Sequence, residues 1–137
     1  MVNVCMEIKT TRDIARQILR HRSFSFQEFS QRYAVATGFE LSEPRLQDEK
    51  NRQNSLETED RQLAYWWEGA QRRVLQEAQF MYESALAKGM AKEVARKLLP
   101  EGLTHSTMYM NGTLRSWLHF IEIRCDKATQ KEHREVA

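Results

Sequence analysis

The sequence predicts an α+β domain, and three observations carry that reading. An alternating apolar–polar run opens the chain, one long amphipathic stretch fills its middle, and the remaining elements follow in irregular order rather than as βαβ units. At 137 residues the chain suffices for one domain with a core and is too short for two, so residues 1–137 are read as a single domain.

The opening run, Val2 to Lys9, has the period-2 pattern of a half-buried strand. Thr10 and Thr11 are placed to cap a helix beginning near Arg12, with Asp13 in its first turn and Ile14, Ala15, Ile18 and Leu19 on its apolar side. Gln17 and Arg20, three apart, are expected to point together. From Ser23 to Thr37, serines alternate with Phe24, Phe26 and Phe29, which suits extended chain and turns. Glu40 to Thr58 is polar, contains Pro44 and has no period, so an exposed loop is expected. From Glu59 to Lys88, Leu63, Trp67, Ala70, Val74, Ala78, Met81 and Ala85 follow helical spacing, and Gly89 stands at the C-cap. The Tyr65-Trp66-Trp67 patch reads as core or subunit interface. A helix from Ala91 to Leu99 stops at Pro100, Leu103 to Asn111 reads as a strand, Leu114 to Arg124 as a helix, and Gln130 onward as the start of another.

Composition narrows the function. The net charge of +2, from 21 Lys+Arg against 19 Asp+Glu, is too small for bulk nucleic-acid binding. No apolar run approaches the roughly 20 residues of a membrane span, and the start lacks the basic and apolar regions of a signal peptide, so a cytoplasmic protein is expected. Cys5 and Cys125 form no Cys-x-x-Cys pair, and no His stands at metal-ligand spacing from either, so two reduced thiols and no metal site are expected. Phosphate-binding glycine loops, His-Glu-x-x-His and Gly-x-Ser-x-Gly are absent from the sequence. Between Thr11 and Ala34, however, every basic residue is an arginine: Arg12, Arg16, Arg20, Arg22 and Arg32. Arginine's planar fork suits bidentate contact with phosphate or carboxylate, so a compact anion is a fitting partner.

The residues left to carry chemistry are Arg20-His21-Arg22, Glu28, Ser30, Arg32 and Tyr33. Alone, two arginines around a histidine suit a solvated basic turn as well as an anion site; Glu28 suits a counter-charge and Ser30 a turn. The whole string, Arg-His-Arg followed after seven residues by Ser, resembles the defining motif of the flavin-dependent thymidylate synthase (ThyX) family, here preceded by Ala15-Arg16-Gln17. Three further blocks resemble that family in order: Lys88-Gly89 through Arg96 to Leu99-Pro100, Met110 through Gly112-Thr113-Leu-Arg115-Ser-Trp117-Leu-His119 to Arg124, and Thr129-Gln130-Lys131-Glu132-His133. The Gly-Thr-Leu-Arg-Ser-Trp wording is similar to phage and cyanobacterial members.

The resemblance implies a fold of mainly antiparallel sheet packed with a long-helix bundle. It implies reductive methylation of dUMP to dTMP, with methylenetetrahydrofolate as carbon donor, FAD as hydride donor and NADPH as reductant, in a homotetramer whose sites lie between subunits. By position, Gln17, Arg20, Glu28, Ser30, Arg32 and Arg96 match substrate-binding residues. Arg20, His21, Arg22, Glu28, Arg115 and His119 match flavin-binding residues, and Arg124 matches the arginine that activates the uracil ring. A positive Arg124 beside the ring would favour charge developing there, so no enzyme nucleophile is needed; Ser30 is read as pocket-lining and His119 as a flavin contact rather than a structural histidine. Gln27 stands where relatives commonly have Asn, and Asn111 where close relatives often have Thr. Compared with the family, the chain is expected to be shortened at both ends, lacking an N-terminal segment that helps hold flavin. The alternative is therefore a truncated paralogue that binds nucleotide or flavin without turnover; a small nucleic-acid binder using the arginines is a third class that the low net charge argues against.

Overall fold

The computed structural model describes residues 2–36 and 38–137; Met1 and Thr37, the end of the Ser23–Thr37 stretch, lie outside the described residues. The alternating run forms β1 (Asn3–Thr11). It pairs antiparallel along its whole length with β5 (His105–Thr113), Asn3 opposite Thr113 and Thr11 opposite His105. β2 (Ser25–Glu28) pairs antiparallel with the other edge of β5, giving the order β1-β5-β2. The C-terminal strand is thus the centre of the sheet. Ser106, Met108, Met110 and Gly112 of β5 turn inward while their neighbours point out or lie at the margin, the alternation of a one-sided sheet.

On the inner face lies the main core: Ile8 of β1, Met108 and Met110 of β5, Ile14, Ala15 and Ile18 of α1 (Arg12–Ile18), and Phe120 of α4 (Leu114–Arg124). Both helices follow directly from strands, so their apolar stripes fold back onto the sheet that precedes them. Thr11 occupies the N-cap of α1 but does not cap it as expected. Its hydroxyl is turned to donate to Asp13 Oδ1 at 2.5 Å and its oxygen accepts no first-turn N–H, while the Arg12 N–H is satisfied by the Thr104 carbonyl at 2.9 Å. α1 ends at Ile18, so the helical spacing that would align Gln17 with Arg20 does not reach Arg20.

α2 (Arg61–Ala87) is the long helix the periodicity predicts. It is capped by Asp60, which accepts from Gln62 and Leu63 N–H, and followed by Gly89 at φ +81°, a left-handed stop that favours glycine. Its buried side differs from the expected stripe: Gln71, Tyr82 and Ala85 are buried, while Val74 and Met81 are exposed. The helix touches the chain along a narrow line. Near one end Trp67 and Gln71 hold the Ser42 backbone, with Trp67 Nε1 donating to Ser42 O at 2.9 Å; near the other Tyr82, Ala85, Ala95 and Leu99 form a second small core. The rest of the helix, Tyr65, Trp66, Val74 and Phe80 included, faces outward.

The expected loop at Glu40–Thr58 is instead a small antiparallel hairpin, β3 (Arg45–Gln47) with β4 (Ser55–Glu57). It has no apolar period because charge pins it in place of a core. Asp48 accepts from the Lys50 and Asn51 N–H groups and from Asn54 Nδ2 within its turn, and Lys131 bridges Glu43 and Glu57 at 2.7 and 3.0 Å. The helix expected over Ala91–Leu99 is shorter: α3 (Lys92–Ala95) tightens into a 3-10 turn at Arg96–Leu98 before Pro100. α5 (Lys131–Val136) closes the described chain. Among the described residues no helix is long and apolar enough to cross a membrane.

Two glycines separate close packing from open helix. A Cβ on Gly112 would stand 2.5 Å from Phe24 Cδ1, whereas one on Gly69, within α2, would meet nothing within 4 Å. Gly112→Ala is therefore expected to lower stability by about 1–3 kcal/mol, and Gly69→Ala to raise it by up to about 1 kcal/mol. Urea denaturation of both variants at one protein concentration checks the opposite signs.

Candidate active site

The Arg-His-Arg turn sits where α1 hands the chain to β2. Ile18 anchors one side of the turn in the core, and the Leu19 and His21 N–H groups bond back to Ala15 and Ile18 carbonyls at 2.9 and 3.0 Å. Phe24, lying over Gly112, anchors the other side. The turn therefore holds His21 half-buried against α4 while Arg20 and Arg22 stay in solvent. On α4 the residues Ser116, Phe120 and Arg124 recur every four positions and so share a face. Phe120 meets the His21 ring edge-on at 4.8 Å, and Arg124 Nε donates to His21 Nε2 at 2.7 Å. Burial lowers the His21 pKa, and the charges of Arg124 and His119 lower it further. The ring is thus neutral at pH 7, its Nε2 lone pair accepting from Arg124 and its proton on Nδ1.

Behind this pair stands His133 of α5, fully buried, 6.2 Å from the His21 ring and 5.9 Å from Phe120. Its Nδ1 lies 3.2 Å from Gln17 Oε1, and Gln17 Nε2 donates to Gln130 Oε1 at 2.7 Å. Gln17, His21 and Arg124 thus come together at the C-terminal end of α1. Arg115 and His119, four apart on a neighbouring face of α4, are exposed. Among the described residues, Arg20, Arg22, Arg115 and Arg124 have no carboxylate within ion-pair distance, whereas Arg12, Arg16, Arg32 and Arg45 each have one.

The other predicted residues gather at the N-terminal half of α1. Glu28, at the end of β2, receives Ser106 Oγ at 2.5 Å and faces Arg12 Nη1 at 3.6 Å, both through Oε1, which leaves Oε2 open. Arg96 shares a cleft of about 200 Å³ with Arg12, Arg16, Gln31 and Lys97; its one carboxylate, Glu101, is held by Arg16 at 2.5 Å. Four cations around one acid in so small a space suit a phosphate-sized anion. Arg32 leaves this cleft to pair with Glu93 at 3.3 Å, and Ser30 lines a neighbouring hollow of about 310 Å³ with Phe29 and His105. The predicted residues thus form two sets, one at the C-terminal end of α1 and one toward its N-terminal half. Neither set lines the larger cavities of about 490 and 530 Å³ beside α2, so chemistry and not volume marks the site.

Arg12 and Arg16 stand in the sequence among the five arginines suited to a compact anion but without a placed role, and Lys97, Ser106, Gln31 and His133 carry no such signal there. The i, i+4 spacing of Arg12 and Arg16 on one helix was a readable signal. The others become neighbours only through strand pairing and the docking of α5.

His133 gives a pH signature. Burial first, then the charge of Arg124 and the His21 ring, lower its pKa to about 4. The unfolded ring takes up its proton near pH 6.5 and the folded one only near 4, so the contribution of the neutral ring is complete above pH 6.5 and is lost as the pH falls to 4. Over that window the wild-type protein should lose up to about 3 kcal/mol more than His133→Leu. Urea midpoints of both at pH 7.5, 5 and 4 test this, and parallel curves would contradict it.

Comparison with known proteins places the chain in a family. The family described as "Thymidylate synthase complementing protein" matches residues 1–137. A flavin-dependent thymidylate synthase of Synechocystis is 57% identical over 137 residues, covering 100% of this chain and 63% of the relative. A probable flavin-dependent thymidylate synthase of Paramecium bursaria Chlorella virus 1 is 50% identical over 135 residues, covering 96% of this chain and 61% of the relative. The chain thus spans somewhat under two thirds of the length of these relatives. In structure it is similar to a UMP/dUMP methylase, PolB from Streptomyces cacaoi, bound with 5-Br UMP: TM-score 0.82, 20% identity, 98% of this chain and 65% of that one, a likeness of fold. The chain belongs to the thymidylate synthase complementing protein family, that of the flavin-dependent thymidylate synthases.

Proposed function

We propose that the protein bearing this chain is a flavin-dependent thymidylate synthase that methylates dUMP to dTMP, drawing the carbon from methylenetetrahydrofolate and using FAD with NADPH as reductant. The observation that carries this reading is the Arg124–His21 pair. An arginine without a carboxylate partner among the described residues is held by a neutral ring inside the turn whose Arg-His-Arg…Ser pattern resembles the family motif. Such a charge is not spent on a neighbouring acid and remains available to a ligand.

The chain's own groups divide the work. The cleft of Arg12, Arg16, Arg96 and Lys97 holds the phosphate of dUMP, displacing the weak hold on Glu101. The open oxygen of Glu28, fixed by Ser106, and the Gln17 amide accept and donate to the nucleoside. Arg124 stands beside the uracil and favours negative charge growing on its carbonyl oxygen, so the ring carbon can act as nucleophile. The exposed Arg20, Arg22 and Arg115, with no carboxylate partner among the described residues, offer donors suited to a pyrophosphate, with His119 beside them, and this donor set fits FAD. When bound, the flavin supplies the hydride that completes the methyl group.

The dUMP-matched residues lie in two sets on one chain, Gln17 and Arg20 apart from Glu28, Ser30, Arg32 and Arg96. This supports sites shared between chains, and the outward Trp66 (58% exposed), Phe80 (61%) and Met81 (45%) of α2 supply an apolar face for a homotetramer.

Arg124→Ala should lower kcat for dTMP formation by roughly 10²–10³, with flavin absorbance retained. Arg124→Lys should recover only part of it, since a lysine keeps the charge but not the Nε–H bond to His21. Phe80→Asp should reduce the assembled mass in analytical ultracentrifugation and activity with it. Undiminished turnover in Arg124→Ala would overturn the role given to that residue.

A further inference from the structure

Gln17 can serve a nucleotide in two opposite ways, because its amide can turn by 180° and present either a carbonyl oxygen or N–H donors. The structure decides between them through a residue no part of the reaction has yet used. We propose that His133 is a positioning residue: its Nδ1–H holds Gln17 Oε1 inward, so that the Gln17 amide offers only N–H donors to an anionic or carbonyl oxygen of the bound nucleotide. This rests on the dUMP reading above.

His133 is 0% exposed, yet its Nε2 has no hydrogen-bond partner among the described residues. A neutral imidazole carries one proton, and placing it on Nε2 would bury an orphan N–H, which native interiors rarely tolerate. The proton therefore sits on Nδ1, whose neighbour at 3.2 Å is Gln17 Oε1. Around the ring, Phe120 packs tilted at 43° and His21 stands edge-on at 84°, while the Arg124 charge nearby discourages a second proton. The ring cannot rotate or become a double donor without disturbing that packing. With Oε1 fixed inward, Gln17 Nε2 donates one proton to Gln130 Oε1 at 2.7 Å, and its second N–H has no acceptor among the described residues. A buried, immobile ring thus sets the polarity of a half-exposed amide beside His21 and Arg124.

The test uses the assembled protein and steady-state kinetics with dUMP. His133→Leu should raise KM for dUMP about tenfold, the scale of one buried hydrogen bond, with kcat within about twofold, the pattern of lost uniform binding. His133→Asn places an N–H where Nδ1 stood and should bring KM back to within about threefold of wild type. His133→Gln, whose amide reaches the Nε2 position instead, should resemble His133→Leu. In a Gln17→Leu background the changes at residue 133 should have no further effect on KM. His133→Asn no better than His133→Leu, or an undiminished effect in the Gln17→Leu background, would overturn the proposal. Nitrogen NMR of the His133 ring reads the bond itself: the Nδ1-protonated form should be present in wild type and its signal should shift on Gln17→Leu, and an unmoved signal would overturn the proposal. Failure of the wild-type protein to bind dUMP would instead refute the functional reading, while this NMR result would still decide the bond.

Discussion

The Phe120 ring, 1% exposed, stands edge-on to His21, Phe24 and Trp117 at 4.8, 5.9 and 6.0 Å, and tilted against His133 at 5.9 Å. Each partner comes from a different place in the chain: the Arg-His-Arg turn, the segment entering β2, the preceding turn of α4, and α5. Edge-to-face pairs add modestly to the area they bury, but here they share one ring. The turn can sit over α4 only because Phe120 fills the space beneath it, and Arg124, one helical turn on, reaches His21 only because Phe120 has already set the distance. Core packing and site geometry are one arrangement.

Electrostatics follow from that packing. Burial beside an aromatic ring keeps His21 and His133 neutral, and neutrality lets two histidines and an arginine lie within a few ångströms without mutual repulsion. Elsewhere the chain spends its charges structurally: Arg45 on Glu132, Lys131 on Glu43 and Glu57, Arg32 on Glu93. The pairs of Arg45 and Lys131 hold the hairpin and α5 together, so the polar segment around residues 40–58 stabilises the back wall of the site through ions and not through a core.

What could be read from the sequence followed the reach of each signal. β1, α2 and α4 rest on periodicities within one element, and all three form near their expected bounds. The hairpin at Arg45–Gln47 and Ser55–Glu57 was invisible because its two three-residue strands carry no period and are fixed by partners far along the chain. At Val74 and Met81 the surface of α2 stays exposed along the helical stripe, since spacing names a stripe but not which neighbours exist to cover it. Arg20-His21-Arg22, Glu28 and Arg124 were singled out by their pattern. Their division around α1 and the Ser106 support of Glu28 depend on β5 lying between β1 and β2, and the burial of His133 on α5 docking against α1 and Phe120, which only the fold discloses.

Tritium release reads whether Arg124, beside the Arg-His-Arg turn, activates a uracil ring for methylation. The assembled protein bearing this chain would be given dUMP labelled at the methyl-accepting ring carbon, with FAD, NADPH and methylenetetrahydrofolate. Release of the label to water should keep step with dTMP formation and fall by roughly 10²–10³ in Arg124→Ala while dUMP still binds. Bound dUMP with no release from the wild-type protein, or undiminished release from Arg124→Ala, would contradict it.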